Sequence, residues 1–270
     1  MRYCRIQTSH GGPKFAQVES QNGQEVITRL LQEEGFPEAP RDQSKEDPSF
    51  ERFLLSDAII LCPVVPSKIV CVGRNYREHA AELGNDVPKE PLLFLKPPSS
   101  LLEPGGIIRY PRLSSRVDFE GELGIVIGRR ARNIDPGGDV RSYIRGYTIV
   151  NDVTARDLQK SDGQWTRGKG FDTFCPVGPI VTDEIDPISS GVDLQTHLNG
   201  VQKQVGNTND FIFDIPTLLR YITAFLTLEP GDLIPTGTPA GVAPMQPGDR
   251  VTVSIAGIGV LSNRVAREND

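Results

Sequence analysis

Only three histidines, two methionines and one tryptophan occur in 270 residues, so chemistry that needs an imidazole has few places to reside. The four cysteines, Cys4, Cys62, Cys71 and Cys175, form no C-x-x-C pair, which leaves neither a zinc-site spacing nor a disulfide framework. Cys62 and Cys71 lie inside apolar runs ("IILCPVV", "KIVCVG"), where a thiol behaves as a small buried hydrophobe. No apolar stretch approaches the roughly 20 residues of a membrane span. The first residues, "MRYCRIQTSHGGPKF", carry no apolar signal core, so a cytoplasmic protein with reduced thiols is expected. A net charge of −6 argues against a basic nucleic-acid surface.

What remains is a chain with 37% hydrophobic and 24% charged residues, of ordinary globular composition. Residues 1–65 read as a small N-terminal region: two short strands, "RYCRIQT" and "KFAQVES", around an "SHGGP" turn, then the polar connector "QEEGFPEAPRDQSKEDPSFE". Residues 66–270 read as the main domain. Strands are expected in "PLLFLKP", "DFEGELGIVIG", "IRGYTIVNDVT", "PVGPIVT", "VDLQTHLNG", "DLIPTGTP" and "RVTVSIAGIGVLSNRV", divided by turns such as "EPGG", "DPGGD" and "QPGD". Two stretches read as helices, "NYREHAAELG" and "DIPTLLRYITAFL". The second spaces Ile215, Leu218, Leu219, Ile222 and Phe225 as a core-packing face. The fold class is therefore β-rich mixed α+β with few short helices.

The stretch "RVDFEGELGIVIG" carries Asp118, Glu120 and Glu122 at alternate positions. In a strand these share one face, roughly 7 Å apart, with Phe119 and Leu123 on the other. Three like charges on one face repel unless water or a positive charge receives them. A hard divalent cation with a preference for carboxylate oxygen would do so. Asp152 ends the apolar run of "GYTIVNDVTARDLQ", a rigid place for a further ligand, whereas Asp157 is expected to be paired or exposed. His79 and Glu82 are i, i+3 on one helix, a spacing that lets the carboxylate orient the imidazole as a base. Lys169 stands between two glycines, unscreened by bulky neighbours. Thr236 and Thr238 flank Gly237, where backbone and ligand can approach closely, or serve only as turn residues. His10 and His197 belong to no motif; His197 reads as surface and Trp165 as a packing anchor. A structural Ca²⁺ site and a small-molecule sensor without turnover are the non-enzymatic alternatives. Calcium loops gather their ligands in one short segment, and these acids lie on two.

Six motifs occur together and in order: "VGRNYREHAAELG", "PLLFLKPPSSL", "VDFEGELGIVIG", "GYTIVNDVTARDLQ", "KGFDTFCPVGP" and "LEPGDLIPTGTPAGV". Through them the chain resembles the fumarylacetoacetate hydrolase superfamily, in its C-terminal catalytic domain, over about three quarters of its length. The resemblance implies a β-sandwich or roll catalytic domain and one Mg²⁺ or Mn²⁺ per subunit on Glu120, Glu122 and Asp152. It further implies Lys169 as a positive group near the metal, His79 and Glu82 on a lid segment, and Thr238 at the substrate carboxylate. Arg74 and Gln159 fall in substrate-binding motifs, and Asp118 behind the ligands. A homodimer is implied, without nucleic-acid or membrane partners. Relatives commonly continue "TGTPAGVG", where this chain has Ala243.

The chemistry so implied is stabilisation of a pyruvate-type enolate by a metal and Lys169. Its first expected outcome is hydrolysis of a C–C bond in an acylpyruvate or fumarylpyruvate, because the H-x-x-E pair is present. The alternatives are oxaloacetate decarboxylation and keto–enol or double-bond isomerisation of a 2-oxo acid.

Overall fold

The computed structural model describes residues 1–8, 11–31, 50–82, 84 and 86–269. His10 and most of the polar connector, residues 32–49, lie outside the described residues. At the centre runs the strand Gly121–Ile127, in which every residue is buried. It pairs antiparallel with Ile144–Asn151 on one side and Leu233–Pro235 on the other. Beyond these, Cys175–Thr182 follows Ile144–Asn151, while Ile69–Gly73 and then the edge strand Leu92–Lys96 follow Leu233–Pro235. The N-terminal strand Arg2–Gln7 joins this sheet through Arg2↔Thr182 and Tyr3↔Val181, and Pro13–Gln21 and Gln24–Leu31 extend it. Residues from both stretches of the chain thus share one hydrogen-bonded sheet.

A second sheet is ordered Val201–Asn207, Asp193–Leu198, Arg250–Ile255, Gly259–Arg267, Ile107–Tyr110. Between the two sheets lies one apolar cluster that includes Leu123, Ile125, Ile149, Leu194, Val253 and Leu261. The opposite face of the first sheet buries Val126, Val150, Val177 and Leu233 in another cluster. Coverage on both faces explains why "LGIVIG" is continuously apolar rather than alternating. The sheets meet closely at Gly121, where an added Cβ would collide with Thr196. The helix Ile215–Phe225 is capped by Asp214, which accepts from Thr217 N at 2.8 Å, and packs Ile215, Leu218, Leu219 and Ile222 into the inter-sheet core.

The β-rich α+β architecture expected from the sequence is the one observed, with four corrections in detail. Phe225, placed on the helix core face by spacing, is 60% exposed at the last turn. Two further helices occur, Arg156–Asp162 and Thr166–Lys169; both are short and polar and lack the apolar periodicity that marks a helix in sequence. The strands Gln24–Leu31, Ile107–Tyr110 and Val201–Asn207 were also not among those expected. Finally, the acidic stretch is not one strand. Val117–Asp118 belongs to a small sheet with Thr154–Ala155 and Pro244–Met245, the chain breaks at Phe119 and Glu120, and Gly121–Ile127 resumes in the large sheet. The break lets Glu120 N donate to Asn151 Oδ1 and Phe119 N to Ala243 O.

Candidate active site

The acids of the central strand are buried, not solvated. Glu120, Glu122 and Asp152 bring carboxylate oxygens within 4.8 Å of one another, and all three side chains are buried. The hydrogen bond from Asp152 N to Glu120 O, at 2.8 Å, sets the two segments side by side where their strands end. Phe119 fills the core on the other side of the break.

Around these acids stand three buried cations. Lys169 Nζ donates to Glu120 Oε2 at 2.7 Å and to Asp152 Oδ2 at 2.5 Å. Lys96 Nζ donates to Asp152 Oδ1 at 2.6 Å and to Val153 O at 3.1 Å. Arg156 donates through Nη2 to Glu120 and through Nε to Asp118 Oδ2, the latter at 2.9 Å. Asp118 accepts also from Arg116 at 2.9 and 3.1 Å, so it stands behind the cavity as the anchor of two guanidinium groups. With Arg116 counted, four cations serve three of the four buried acids in this cluster, Asp118, Glu120 and Asp152. The fourth, Glu122, is in no ion pair among the described residues and accepts from the main-chain N–H of Gly237, at 2.7 Å.

The difference in pairing appears in the ionisation of the two glutamates. Burial raises the Glu120 carboxyl, but Lys169, Arg156 and His79 outweigh it and hold that group well below the usual range. Burial and the charges of Asp152 and Glu120 push Glu122 well above it. Lys169 loses by burial and gains more from Asp152 and Glu120, so it stays an ammonium.

The cluster opens into a cavity of about 300 Å³. His79 lines it from the helix Arg77–Glu82, and burial lowers its pKa, so the ring is neutral at pH 7. Nδ1 of His79 lies 3.4 Å from Glu82 Oε2, and both Glu82 oxygens accept from Gly241 N at 3.1 Å. That carboxylate favours the tautomer with the proton on Nδ1, which leaves the Nε2 lone pair free to act as a base. Thr238 also lines the cavity, but its hydroxyl donates to Gly121 O at 2.8 Å and accepts from Gln204 Nε2 at 2.7 Å. Contact with a substrate carboxylate through this hydroxyl requires it to rotate away from Gly121. Thr236 is committed to Leu123 O at 2.8 Å. Gln159 lines the cavity and accepts from Arg156 Nη1 at 2.7 Å, one turn apart on the helix Arg156–Asp162.

The fold therefore brings Arg74, His79, Glu120, Glu122, Asp152, Gln159, Lys169 and Thr238 to one cavity and sets Glu82 and Asp118 directly behind it. Sequence reasoning missed Lys96 and Arg156. Lys96 ends the apolar strand "LLFLK", and a lysine closing so apolar a run is a signal of a buried partner. Trp165 does pack, edge-on to Phe94 with centroids 5.1 Å apart, and it lines the cavity as well. Asp157 is paired as expected, accepting from Ser114 and Ser115 at 2.6 to 2.9 Å. His197 is half-buried and lines none of the cavities described.

The family model described as fumarylacetoacetate (FAA) hydrolase C-terminal matches residues 68–266. A mitochondrial oxaloacetate decarboxylase of Dictyostelium discoideum is 49% identical over 197 residues, covering 71% of this chain and 89% of that protein. A mitochondrial oxaloacetate tautomerase of Arabidopsis thaliana is 44% identical over 205 residues, covering 74% and 92%. Among solved structures, a 2-hydroxyhepta-2,4-diene-1,7-dioate isomerase from Mycobacterium marinum superposes with a TM-score of 0.86 at 42% identity, each chain fully covered. A fumarylpyruvate hydrolase from Pseudomonas aeruginosa, in complex with Mn²⁺ and pyruvate, superposes at 0.71 with 31% identity, covering 77% of this chain and 91% of that one.

Proposed function

The chain belongs to the fumarylacetoacetate hydrolase family, and from that premise we propose that it is a divalent-metal-dependent enzyme that moves a proton or breaks a bond beside the keto group of a small 2-oxo acid, with oxaloacetate as its substrate. The observation that carries the reading is the buried triad Glu120, Glu122 and Asp152, in which Glu122 has no ion pair among the described residues, opening on the same cavity as a neutral His79.

The donor set fits a hard ion. All three groups offer oxygen, they converge, and Glu122, in no ion pair with the protein's described cations, holds a proton that a bound ion would displace. Glu120, Glu122 and Asp152 would hold Mg²⁺ or Mn²⁺. When bound, such an ion supplies Lewis-acid stabilisation of the negative charge that develops on a keto oxygen.

The chain's own residues do the rest. Lys169 keeps a positive charge at the cavity wall, beside Glu120 and Asp152. Arg156, tied to Asp118, holds Glu120 in place and presents Gln159 to the cavity. His79, oriented by Glu82, takes or returns a proton at C3 of the substrate through Nε2. For keto–enol exchange His79 moves the C3 proton while the keto oxygen gains or loses one to water. In decarboxylation no proton leaves C3, and His79 first takes a proton from solvent and then delivers it to C3 of the enolate left by CO₂. Burial of the cluster limits competing reactions with bulk water.

Oxaloacetate is preferred over an acylpyruvate because the relatives bearing oxaloacetate in their names share 49% and 44% identity, against 31% for the fumarylpyruvate hydrolase. Acylpyruvate hydrolysis is the second reading, favoured by the His79–Glu82 pair, which suits activation of water. The test is a turnover screen on chelator-stripped protein restored with Mg²⁺ or Mn²⁺, with oxaloacetate, acetylpyruvate and fumarylpyruvate offered in parallel. Enol–keto absorbance and pyruvate release are followed. Metal-dependent turnover of oxaloacetate alone supports the first reading. Metal-dependent cleavage of an acylpyruvate moves the assignment to a hydrolase, and turnover indifferent to chelator contradicts both.

A further inference from the structure

The cavity wall carries two kinds of cation. Lys169 and Arg156 are buried and spent on carboxylates of the protein. Arg74 and Lys160 line the same cavity at its more exposed side, and among the described residues neither has a carboxylate partner. Arg74 is not a stray surface side chain. Its backbone sits at φ +57°, a left-handed conformation that costs a non-glycine residue energy and persists only where the surroundings hold it. Those surroundings are identifiable. Gly73 lies so close to Trp165 that an added Cβ would come within 2.8 Å of the ring, and Trp165 is braced against Phe94. The Arg74 guanidinium carbon lies 5.9 Å from the Trp165 ring centroid, a distance at which the ring's negative face attracts it. Lys160 follows Arg156 by four residues on the helix Arg156–Asp162, so it projects from the same side toward the mouth.

We propose that Arg74 and Lys160 together take the second carboxylate of a 2-oxo dicarboxylate, so that the mouth of the cavity selects dianionic over monoanionic 2-oxo acids, with Trp165 as the positioning residue for Arg74. The inference rests on the reading of the cavity as a 2-oxo acid site and adds to it the group that recognises the far end of the substrate. A guanidinium over an aromatic ring is weakly hydrated and presents its donors as a fork, a good receptor for a carboxylate. Lys160, more exposed, contributes attraction that salt screens.

The two ideas separate in one set of titrations. Mn²⁺-loaded protein is titrated calorimetrically with 2-oxoglutarate and with 2-oxovalerate, which has the same number of carbons but one carboxylate. Trp165, the sole tryptophan, gives a second readout by its fluorescence. The expected result is a preference for the dianion of roughly tenfold or more, the effect of one charge-assisted hydrogen bond. Arg74→Gln should remove most of that preference, Lys160→Gln should reduce it about threefold, and Lys160→Arg should restore it. Raising the salt concentration should narrow the gap in the wild type. Failure of both ligands to bind would sink the 2-oxo acid reading itself. Binding of both with equal affinity, or a preference that survives in Arg74→Gln and Lys160→Gln, would overturn this inference alone. Lys160 lies on an exposed helix face, so its two variants keep the test decisive if Arg74→Gln fails to fold.

Discussion

Two buried carboxylates at opposite ends of the strand pairing between Gly121–Ile127 and Leu233–Pro235 meet opposite fates. Asp232, fully buried, accepts from Ser67 N at 3.0 Å, Ser67 Oγ at 2.7 Å, Lys68 N at 3.1 Å and Glu229 N at 2.8 Å, and pairs with Lys68 Nζ at 2.5 Å. Glu122 is as deeply buried and accepts from Gly237 N at 2.7 Å, and burial with the charges of Asp152 and Glu120 outweighs the pull of Lys169. Asp232 is satisfied by donors built into its own loop and ties the chain segments near residues 67 and 229 together. Among the described residues Glu122 has one backbone donor, no ion pair, and two acids beside it. A buried acid the fold satisfies is structural, and one it leaves short is held for something that arrives from outside.

The largest test of that contrast exchanges the two. Glu122→Gln should lower metal-dependent turnover at least 100-fold, on the order of or beyond the loss from removing a supporting partner of a metal ligand. Its metal-free fold should be no weaker, since the amide replaces a carboxyl that burial and its acidic neighbours already hold protonated. Asp232→Ala should do the reverse. It should cost about 3 kcal/mol of unfolding free energy by orphaning several donors, while turnover per folded molecule persists. Denaturant titration beside kinetics on both variants reads the exchange, and equal losses of activity would break the contrast.

A smaller effect is expected from metal alone. Saturating Mn²⁺ at about 100 times its dissociation constant should stabilise the wild type by about 2.7 kcal/mol and leave Glu122→Gln unmoved. Thermal melts with and without Mn²⁺ check this.

The pH dependence of the metal-free protein sharpens the comparison further. Glu122 is raised by burial and by Asp152 and Glu120, so the folded state holds its proton more tightly than the unfolded chain does. Its contribution is present below the ordinary glutamate value and is lost as pH rises through the raised one. Glu120 is lowered, burial being outweighed by Lys169 and Arg156, so its contribution is present above the ordinary value and is lost as pH falls through the lowered one. Above the ordinary glutamate value the Glu122 slope should make stability decline as pH rises. His79 contributes an opposite slope, since its lowered pKa adds stability as pH rises toward the ordinary histidine value. Mn²⁺ or Glu122→Gln should remove the decline, and a decline that survives both would assign it elsewhere. The smallest change is at the satisfied site: Ser67→Ala removes one of the Asp232 donors and should cost about 1 kcal/mol with no kinetic signature.

Much of the contrast was legible in the sequence on one side and hidden on the other. The alternate spacing of Glu120 and Glu122, the apolar run after them and the strand end at Asp152 carried both the central strand and the acid triad, because strand period and burial are local properties. The break at Phe119 and Glu120 was not legible, since it follows from pairing with Asn151 and Ala243, distant in the chain. The partners of the acids were hidden for the same reason: Lys96 and Arg156 look like ordinary cations until the sheet brings them to Asp152 and Glu120. The helix Arg156–Asp162 gave no apolar period, so the alignment of Arg156, Gln159 and Lys160 on the cavity side emerged only with the fold.

The most direct test of the central claim is a calorimetric titration of Mn²⁺ into chelator-stripped wild-type protein and into Glu122→Gln. One ion bound per chain in the wild type and none at the same concentrations in the variant is the result expected of a carboxylate held for a cation. Equal binding by both proteins, or no binding by the wild type, would contradict the account.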